Sequence, residues 1–191
     1  MNKKKDIPTS EQFSKELKRL RYNQNFIKSV KSTVSTLIVI AAAAIIVSTM
    51  LMPVLRVTGV SMMPTLKNDE YIICSKLSEI KKGDVVAFYY NNKVLLKRVI
   101  GTPGDMINIS EDGTVYVNDE MLDEPYVNEK AWGECDITLP YQVPENRYFV
   151  MGDHRAVSVD SRSTSVGCIA DENMIGKVFL KIWPLDSFGK P

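Results

Sequence analysis

The chain has 191 residues, and its 24 Lys and Arg residues nearly balance its 23 Asp and Glu residues, for a formal net charge of +1. A chain of this length can form one domain with a hydrophobic core and a small insert. The balanced charge provides no overall basic field, so we expect no nucleic-acid partner. The cysteines, Cys74, Cys135 and Cys168, form no CxxC motif and have no histidine at metal-binding spacing, so we expect no metal and no other cofactor. Three unpaired thiols are the favoured interpretation, and a Cys135–Cys168 disulfide is the alternative.

The N-terminal part of the chain has a basic tail followed by an apolar segment. Residues 1–31 are rich in Lys and Arg, whereas no charged residue occurs from Ser32 to Leu55. About 20 mostly apolar residues are enough for a helix to cross a bilayer. The segment is longer than the core of a cleaved signal peptide, and no polar stripe marks it as a buried helix of a soluble protein. The sequence therefore predicts a transmembrane helix over residues 32–55.

The distribution of basic residues predicts the orientation of this helix. Basic residues crowd the N-terminal flank, while only Arg56 and Lys67 lie close to the other end. The positive-inside rule places residues 1–31 in the cytoplasm and residues 56–191 outside the cell membrane, with membrane lipid as a partner. Within the tail, residues 10–27 could be an amphipathic helix on the anionic inner leaflet, but a solvated, partly disordered tail is the favoured interpretation.

After Leu55, short β-rich runs alternate with turn signals. Strands are predicted at residues 71–74, 85–90, 94–100, 106–109, 114–117, 148–151 and 175–183, with a helical turn at 171–175. Runs at this spacing indicate a mostly β fold, with an antiparallel β catalytic domain over 56–191. The Asp112-Gly113 step is typical of a tight hairpin. The polar stretch from Leu122 to Asn146 indicates an excursion from the main sheet, and we place a small insert at roughly 106–146.

A serine and a lysine in this region could form a nucleophile and its base. A serine hydroxyl needs a base, and a lysine can act as one when burial keeps it neutral near physiological pH. In a strand, Leu95, Lys97 and Val99 share one face and Arg98 points to the other. We therefore expect Lys97 in an apolar wall and Arg98 in solvent. Taken alone, a strand lysine is more often a charged edge residue, and a serine such as Ser61 before Met-Met-Pro is more often part of a turn.

The one histidine of the chain, His154, is a second candidate base and lies beside Asp153. Neighbouring residues in an extended chain point to opposite faces, so Asp153 is poorly placed to orient the imidazole. We interpret His154 as a turn residue, and Asp153 and Arg155 as turn and packing residues.

Four ordered motifs resemble those of the type I signal peptidases. They are Gly59-x-Ser61-Met62-x-Pro64-Thr65-Leu66, Lys82-Gly83-Asp84-Val85-Val86-Ala87-Phe88, Lys97-Arg98-Val99-Ile100-Gly101-x-Pro103-Gly104-Asp105 and Gly152-Asp153-x-Arg155-x-x-Ser158-x-Asp160-Ser161-Arg162. The resemblance covers roughly residues 54–183, and the N-terminal anchor fits single-span members. It implies a membrane-bound serine endopeptidase that removes N-terminal signal peptides from secretory preproteins after small-x-small motifs such as Ala-x-Ala.

The resemblance also implies roles for individual residues. Ser61 corresponds to the nucleophile and Lys97 to the general base. Ser158 would orient the Lys97 amine, and Asp160 and Arg162 would form a supporting salt bridge.

Oxyanion and pocket positions follow from the same motifs. The backbone N–H of Ser61 would be one oxyanion donor, and Gly59 stands where some members add a second donor from a serine. Family members usually have asparagine at the position of His154. We expect shallow apolar pockets that admit alanine, lined by Leu55, Val57, Met62, Leu66, Leu95 and Leu96. An extended substrate would pair with strand edges near Gly59 and Leu95.

Two other functions are compatible with parts of these motifs. A self-cleaving repressor of the same Ser–Lys class would need a DNA-binding domain and no membrane anchor. A non-cleaving chaperone or pilus-assembly factor that resembles a signal peptidase would usually lack the Ser or the Lys. Signal peptides are the expected substrates, the secretion translocon is a candidate partner, and the choice between a general and a dedicated substrate set stays open.

Overall fold

The structure is a computed structural model that describes residues 10–191. The chain divides into two compact units, a helical one that ends at Ser48 and a second one from Thr49 to Pro191. Part of the predicted cytoplasmic tail, residues 1–9, lies outside the described residues.

One long helix, α1, runs from Ser10 to Leu51 and forms the described part of the helical unit. No Gly or Pro interrupts these 42 residues, and Pro53 follows the last turn. No residue of α1 is buried, and a soluble protein rarely exposes so large an apolar surface. Within residues 10–191, α1 is the one helix long and apolar enough to cross a membrane. The preference for a disordered tail over residues 10–27 is wrong, because this segment is helical.

The second unit contains a seven-stranded sheet and a four-stranded sheet, and every strand pair is antiparallel. The strands are β1 Val54–Arg56, β2 Tyr71–Ser75, β3 Val85–Tyr90, β4 Lys93–Gly101, β5 Met106–Ile109, β6 Val115–Val117, β7 Glu120–Met121, β8 Tyr141–Gln142, β9 Arg147–Met151, β10 Ile169–Ala170 and β11 Met174–Trp183. Their order is β1-β2-β11-β3-β4-β9-β10 in the larger sheet and β7-β6-β5-β8 in the smaller one. Short 3-10 helices occupy Asp171–Asn173 and Leu185–Ser187. The predicted mostly antiparallel β fold is therefore confirmed.

The predicted strands agree closely with the observed ones. Each of them is present, and its ends differ from the prediction by at most one residue. The strands missing from the prediction, β1, β7, β8 and β10, have only two or three residues each. Such short runs carry no detectable alternation, and they become strands because a neighbouring strand offers free backbone groups.

The two sheets share a hydrophobic core. Ile100, Phe149 and Met151 of the larger sheet pack in one cluster with Ile107 and Val115 of the smaller sheet. The smaller sheet is drawn from residues 106–142, while the boundaries of the predicted insert and of the tail and anchor stay a prediction.

All three cysteines are free in the structure. Cys74 and Cys168 are buried and Cys135 is half-buried. Burial raises the pKa of the Cys74 thiol to about 12, which keeps it protonated and unreactive near neutral pH.

Candidate active site

Ser61 and Lys97 meet in the second unit, although 36 positions separate them in the chain. Lys97 Nζ and Ser61 Oγ are 2.8 Å apart and share a hydrogen bond. Lys97 lies within β4, opposite Val86 of β3, and is 4% exposed. Ser61 is partly exposed, so its hydroxyl can be reached while the amine behind it is shielded. Such a pair has the geometry of a nucleophile and its base.

Apolar side chains hold the nucleophile loop (residues 57–66) in place. Val57, Met62 and Leu66 are buried in one cluster with Ile72 and Val85. The loop also closes on itself, because the Leu66 N–H donates to the Met62 carbonyl at 2.9 Å. Burial on both sides of Ser61 fixes its backbone without placing a charge beside its hydroxyl.

Burial is the largest influence on the Lys97 amine, and it lowers the pKa of Lys97 below its ordinary value. The charges of Asp160 and Asp153 raise this pKa, and that of Arg162 lowers it, but the net shift is downward. A lowered pKa increases the fraction of neutral amine near physiological pH, and only the neutral amine can accept a proton from Ser61.

The loop after β9 (residues 152–163) packs directly on the nucleophile loop. The His154 N–H donates to the Ser61 carbonyl at 3.0 Å. A Cβ atom at Gly152 would lie 2.6 Å from the Ser61 carbonyl oxygen and 2.2 Å from Ser158 Oγ. A side chain at position 152 would therefore force the two loops apart.

The predicted hydrogen bond from Ser158 to Lys97 is absent. Ser158 is 2% exposed, and its Oγ has no hydrogen-bond partner among residues 10–191. The hydroxyl lies against Gly152.

Asp160 and Arg162 form the ion pair that the motif implies. Arg162 Nε lies 2.9 Å from Asp160 Oδ1, and both side chains are fully buried. Asp160 also accepts a hydrogen bond from the Gly152 N–H at 2.9 Å. Arg162 donates in addition to the carbonyls of Arg155, at 2.9 Å, and Trp132, at 2.7 Å. The pair thus ties both ends of the loop together.

The expectation that Arg98 lies in solvent is wrong. Arg98 is 6% exposed, and its Nη2 lies 2.7 Å from Asp153 Oδ2. Its side chain is covered by the Tyr126 ring, whose centroid lies 3.9 Å from Cζ, and donates from Nη1 to the Gly83 carbonyl at 2.7 Å. Asp153 is therefore more than a turn residue, because it neutralises Arg98 and accepts a 2.5 Å hydrogen bond from the Thr65 hydroxyl.

Arg155 is likewise more than a packing residue. It is fully buried and forms a salt bridge with Glu124, which sequence reasoning did not single out. An arginine within an apolar strand was a signal for the Arg98 pair, since a buried guanidinium needs a carboxylate. No local pattern in the sequence indicates Glu124 as the partner of Arg155.

A cavity of about 360 Å³ opens beside the dyad. It is lined by Leu55, Arg56, Val57, Thr58, Gly59, Ser61, Met62, Lys93, Val94, Leu95, Leu96 and Lys97. Five of the six predicted pocket residues are among these, and Leu66 is the exception. Leu66 is fully buried in the core, and its packing there holds the nucleophile loop in place.

Two open strand edges border the cavity. In the described chain β1 pairs only with β2, and residues 93–97 of β4 pair only with β3, since β9 begins its pairing at Arg98. An extended peptide can add to such edges through backbone hydrogen bonds.

The expected oxyanion contribution of Gly59 finds no support. The Gly59 N–H donates to Asn68 Oδ1 at 2.9 Å, so this donor is already occupied. The Ser61 N–H has no acceptor among the described residues and remains available. His154 supplies only its backbone N–H to Ser61, and its Nδ1 atom is buried with no partner in residues 10–191.

In the part of the chain that the structure describes, no group of three or more His, Cys, Asp or Glu residues could hold a metal ion.

Comparison with known proteins defines the family of the chain. Residues 29–183 match the family described as "Signal peptidase, peptidase S26". Signal peptidase IB of Staphylococcus aureus (strain Mu50 / ATCC 700699) is 39% identical over 153 residues, which cover 69% of this chain and 78% of that protein. Signal peptidase I P of Bacillus subtilis subsp. natto is 34% identical over 182 residues, or 88% of this chain and 95% of that protein. A crystal structure of a signal peptidase I from Enterococcus faecalis V583 is 28% identical, with a TM-score of 0.47, and covers 55% of this chain and all of that one.

The fold and the family together define a serine peptidase of the antiparallel β class. The chain belongs to the signal peptidase, peptidase S26 family. With its one apolar N-terminal helix, it is consistent with a single-pass membrane protein.

Proposed function

We propose that this chain is a membrane-bound serine endopeptidase that removes signal peptides from secretory preproteins, with Ser61 as nucleophile and Lys97 as general base. The observation that carries the proposal is the 2.8 Å hydrogen bond between Lys97 Nζ and Ser61 Oγ. Burial of that amine supports its role as a base.

The chemistry needs two acyl-transfer steps. The neutral Lys97 amine takes the proton of the Ser61 hydroxyl, while Oγ attacks the scissile carbonyl and forms a tetrahedral intermediate. The Ser61 N–H is our candidate donor to the oxyanion. Lys97 then gives its proton to the leaving amine, which leaves an acyl ester on Ser61. A water molecule, deprotonated by the same amine, attacks the ester carbonyl. The bond to Ser61 Oγ then breaks, Lys97 passes its proton to Oγ, and the signal peptide leaves with a new C-terminal carboxylate.

The cavity supports a substrate with small side chains. Alternate residues of an extended peptide point to the same side, so two side chains separated by one residue would face the apolar wall. Leu55 and Leu96 line the cavity and pack against the same apolar cluster, so the wall that they form would admit alanine but crowd larger groups. This arrangement favours cleavage after small-x-small motifs.

For localisation, we propose that the N-terminus is cytoplasmic and the catalytic domain extracytoplasmic. The basic residues before Ser32 support this orientation. Membrane lipid surrounds the helix, and the translocon that delivers preproteins is a proposed partner. Protease added outside intact protoplasts should digest the chain after Leu55, and digestion confined to the N-terminal tail would contradict the orientation.

Incubation of the detergent-solubilised protein with a preprotein containing an Ala-x-Ala site tests the activity. We expect a new N-terminus directly after that site, and no product from Ser61→Ala. Ser78→Ala is a matched control, because Ser78 is exposed and bonds only Ser75. Binding of the preprotein without cleavage would favour the chaperone or pilus-assembly alternative.

A further inference from the structure

The segment between β7 and β8 contacts all three buried arginines behind the active site. We refer to residues 122–133 as the connecting segment. Its Glu124 pairs with Arg155, its Tyr126 ring lies on Arg98, and its Trp132 carbonyl accepts a hydrogen bond from Arg162. Sequence reasoning treated this region as a polar excursion, but its polar groups are directed at the site.

Glu124 makes the closest of these contacts. Its two oxygens accept from both terminal nitrogens of Arg155, with Nη1 at 3.1 Å from Oε2. The Glu124 side chain is 2% exposed and that of Arg155 is fully buried. Arg155 Nε donates to the Gly152 carbonyl at 3.1 Å. Glu124 therefore acts, through Arg155, on the residue that separates Ser61 from Ser158.

Tyr126 connects Glu124 to the strand that carries the base. Its hydroxyl donates to Glu124 Oε1 at 3.2 Å. Its ring centroid lies 3.9 Å from the Arg98 Cζ atom, in cation–π contact. Arg98 directly follows Lys97 in β4. The connecting segment therefore contacts both the loop after β9, through Arg155, and the strand of Lys97, through Arg98.

Each of the three buried arginines behind the site is paired with one carboxylate. The buried cations of residues 10–191 are Lys97, Arg98, Arg155 and Arg162. Asp153, Glu124 and Asp160 each form a salt bridge with one arginine, and Lys97 has no such partner. If Glu124 were neutral, Arg155 would be an unpaired buried cation beside the two remaining carboxylates.

We propose that Glu124 is a positioning residue for the Ser61–Lys97 dyad, acting through Arg155. By pairing with Arg155 it fixes the Gly152 carbonyl and balances the charge behind Lys97. This role rests on the proposed peptidase function.

The inference predicts a change in pH dependence as well as in rate. The groups that act on the Lys97 amine are the Ser61 hydroxyl and the charges of Asp160, Asp153 and Arg162. Loss of the Glu124 charge leaves Arg155 without a carboxylate partner. Arg155 donates to the carbonyl of Gly152, and the N–H of Gly152 donates to Asp160, so the uncompensated positive charge lies beside the carboxylate that acts on Lys97. A positive charge disfavours the ammonium form of Lys97, so the rising limb of the pH–rate profile should move to lower pH.

The test is the pH dependence of kcat/KM for full-length variants with an Ala-x-Ala preprotein. Glu124→Gln should shift the rising limb to lower pH by about half a unit or more and lower the plateau about tenfold. Glu124→Asp, which keeps the charge, should leave the limb in place. Glu124→Gln combined with Arg155→Met removes both charges, so the limb should return while the plateau stays low, because the bond to the Gly152 carbonyl is gone.

Asp105→Asn is the matched control. Asp105 is a buried carboxylate that bonds Thr102, Asn118 and Lys82 and contacts none of the three arginines. Loss of the Asp105 charge should reduce thermal stability without moving the rising limb of the pH–rate profile.

A rising limb that stays fixed in Glu124→Gln, or that fails to return in the double variant, would overturn the inference. Because the double variant has no unpaired charge, it provides the test even if Glu124→Gln does not fold. An unmodified chain that cleaves no preprotein would instead contradict the proposed function.

Discussion

Two loops meet at the candidate active site, and opposite kinds of contact hold them. The nucleophile loop is fixed by buried apolar side chains, Val57, Met62 and Leu66. The loop after β9, residues 152–163, is fixed by the buried ion pairs of Arg155 and Arg162. The surroundings of Lys97 thus include one loop held by apolar packing and one loop held by ion pairs in which each arginine has a carboxylate partner. The comparison indicates how a lysine can be buried without a counter-ion, since apolar packing desolvates it and every nearby carboxylate is already paired.

Replacement of the base should have the largest effect. Lys97→Met keeps the apolar stem and removes the amine, so cleavage should fall by at least about a thousandfold. His154→Asn should keep most of the activity, because His154 bonds Ser61 through its backbone N–H, which the variant retains. Both variants should be assayed on one preprotein and checked for folding by circular dichroism. An active lysine variant with an inactive histidine variant would invalidate the assigned base.

Replacing one buried side chain in each loop measures how much each loop's packing contributes to the free energy of unfolding. Arg162→Ala leaves Asp160 buried and unpaired and should cost about 3–5 kcal/mol. Leu66→Ala leaves a cavity and should cost about 2–5 kcal/mol. Chemical unfolding of the full chain in detergent measures both losses. Raised ionic strength should affect the two variants alike, because buried pairs are screened little. If Arg162→Ala proved neutral, the ion pairs would not be what holds the second loop.

Separation of the two loops should impair activity more than stability. Gly152→Ala places a methyl group against the Ser61 carbonyl and Ser158, so the backbone behind the nucleophile must move. A displacement of about 1 Å near a reacting group can cost roughly a hundredfold in rate. The kcat of Gly152→Ala should fall by about that factor while the protein remains folded. Wild-type activity in this variant would mean that the loops can separate without consequence.

The smallest effect is expected at Ser158. Its hydroxyl has no hydrogen-bond partner within residues 10–191, so Ser158→Ala removes no bond that the structure contains. A typical hydrogen bond contributes about 1 kcal/mol net, so we expect a loss of less than about tenfold. Measurement of kcat/KM beside Lys97→Met gives the comparison. Equal losses in the two variants would show that Ser158 bonds the amine during the reaction.

The main strands could be predicted because they depend on local β-rich runs, while Ser61 and Lys97 were singled out by the resemblance of four motifs to a known family. Runs of consecutive apolar residues define β3 and most of β4, and the motifs around Ser61 and Lys97 are continuous in the chain. Arg98 and Leu66 were misplaced because their burial depends on which strands and loops cover them. The Glu124–Arg155 pair joins residues 31 positions apart, and no local pattern links them.

The most direct test of the buried-base mechanism is the pH dependence of kcat/KM for the unmodified protein. Burial lowers the pKa of Lys97 from an ordinary value of about 10.4. The protonated amine cannot accept the Ser61 proton, so activity should be low in acid. It should rise as the pH passes through the lowered pKa and the amine becomes neutral, and reach its maximum in the mildly alkaline range. A flat profile, or a maximum in acid, would contradict a buried lysine as the base.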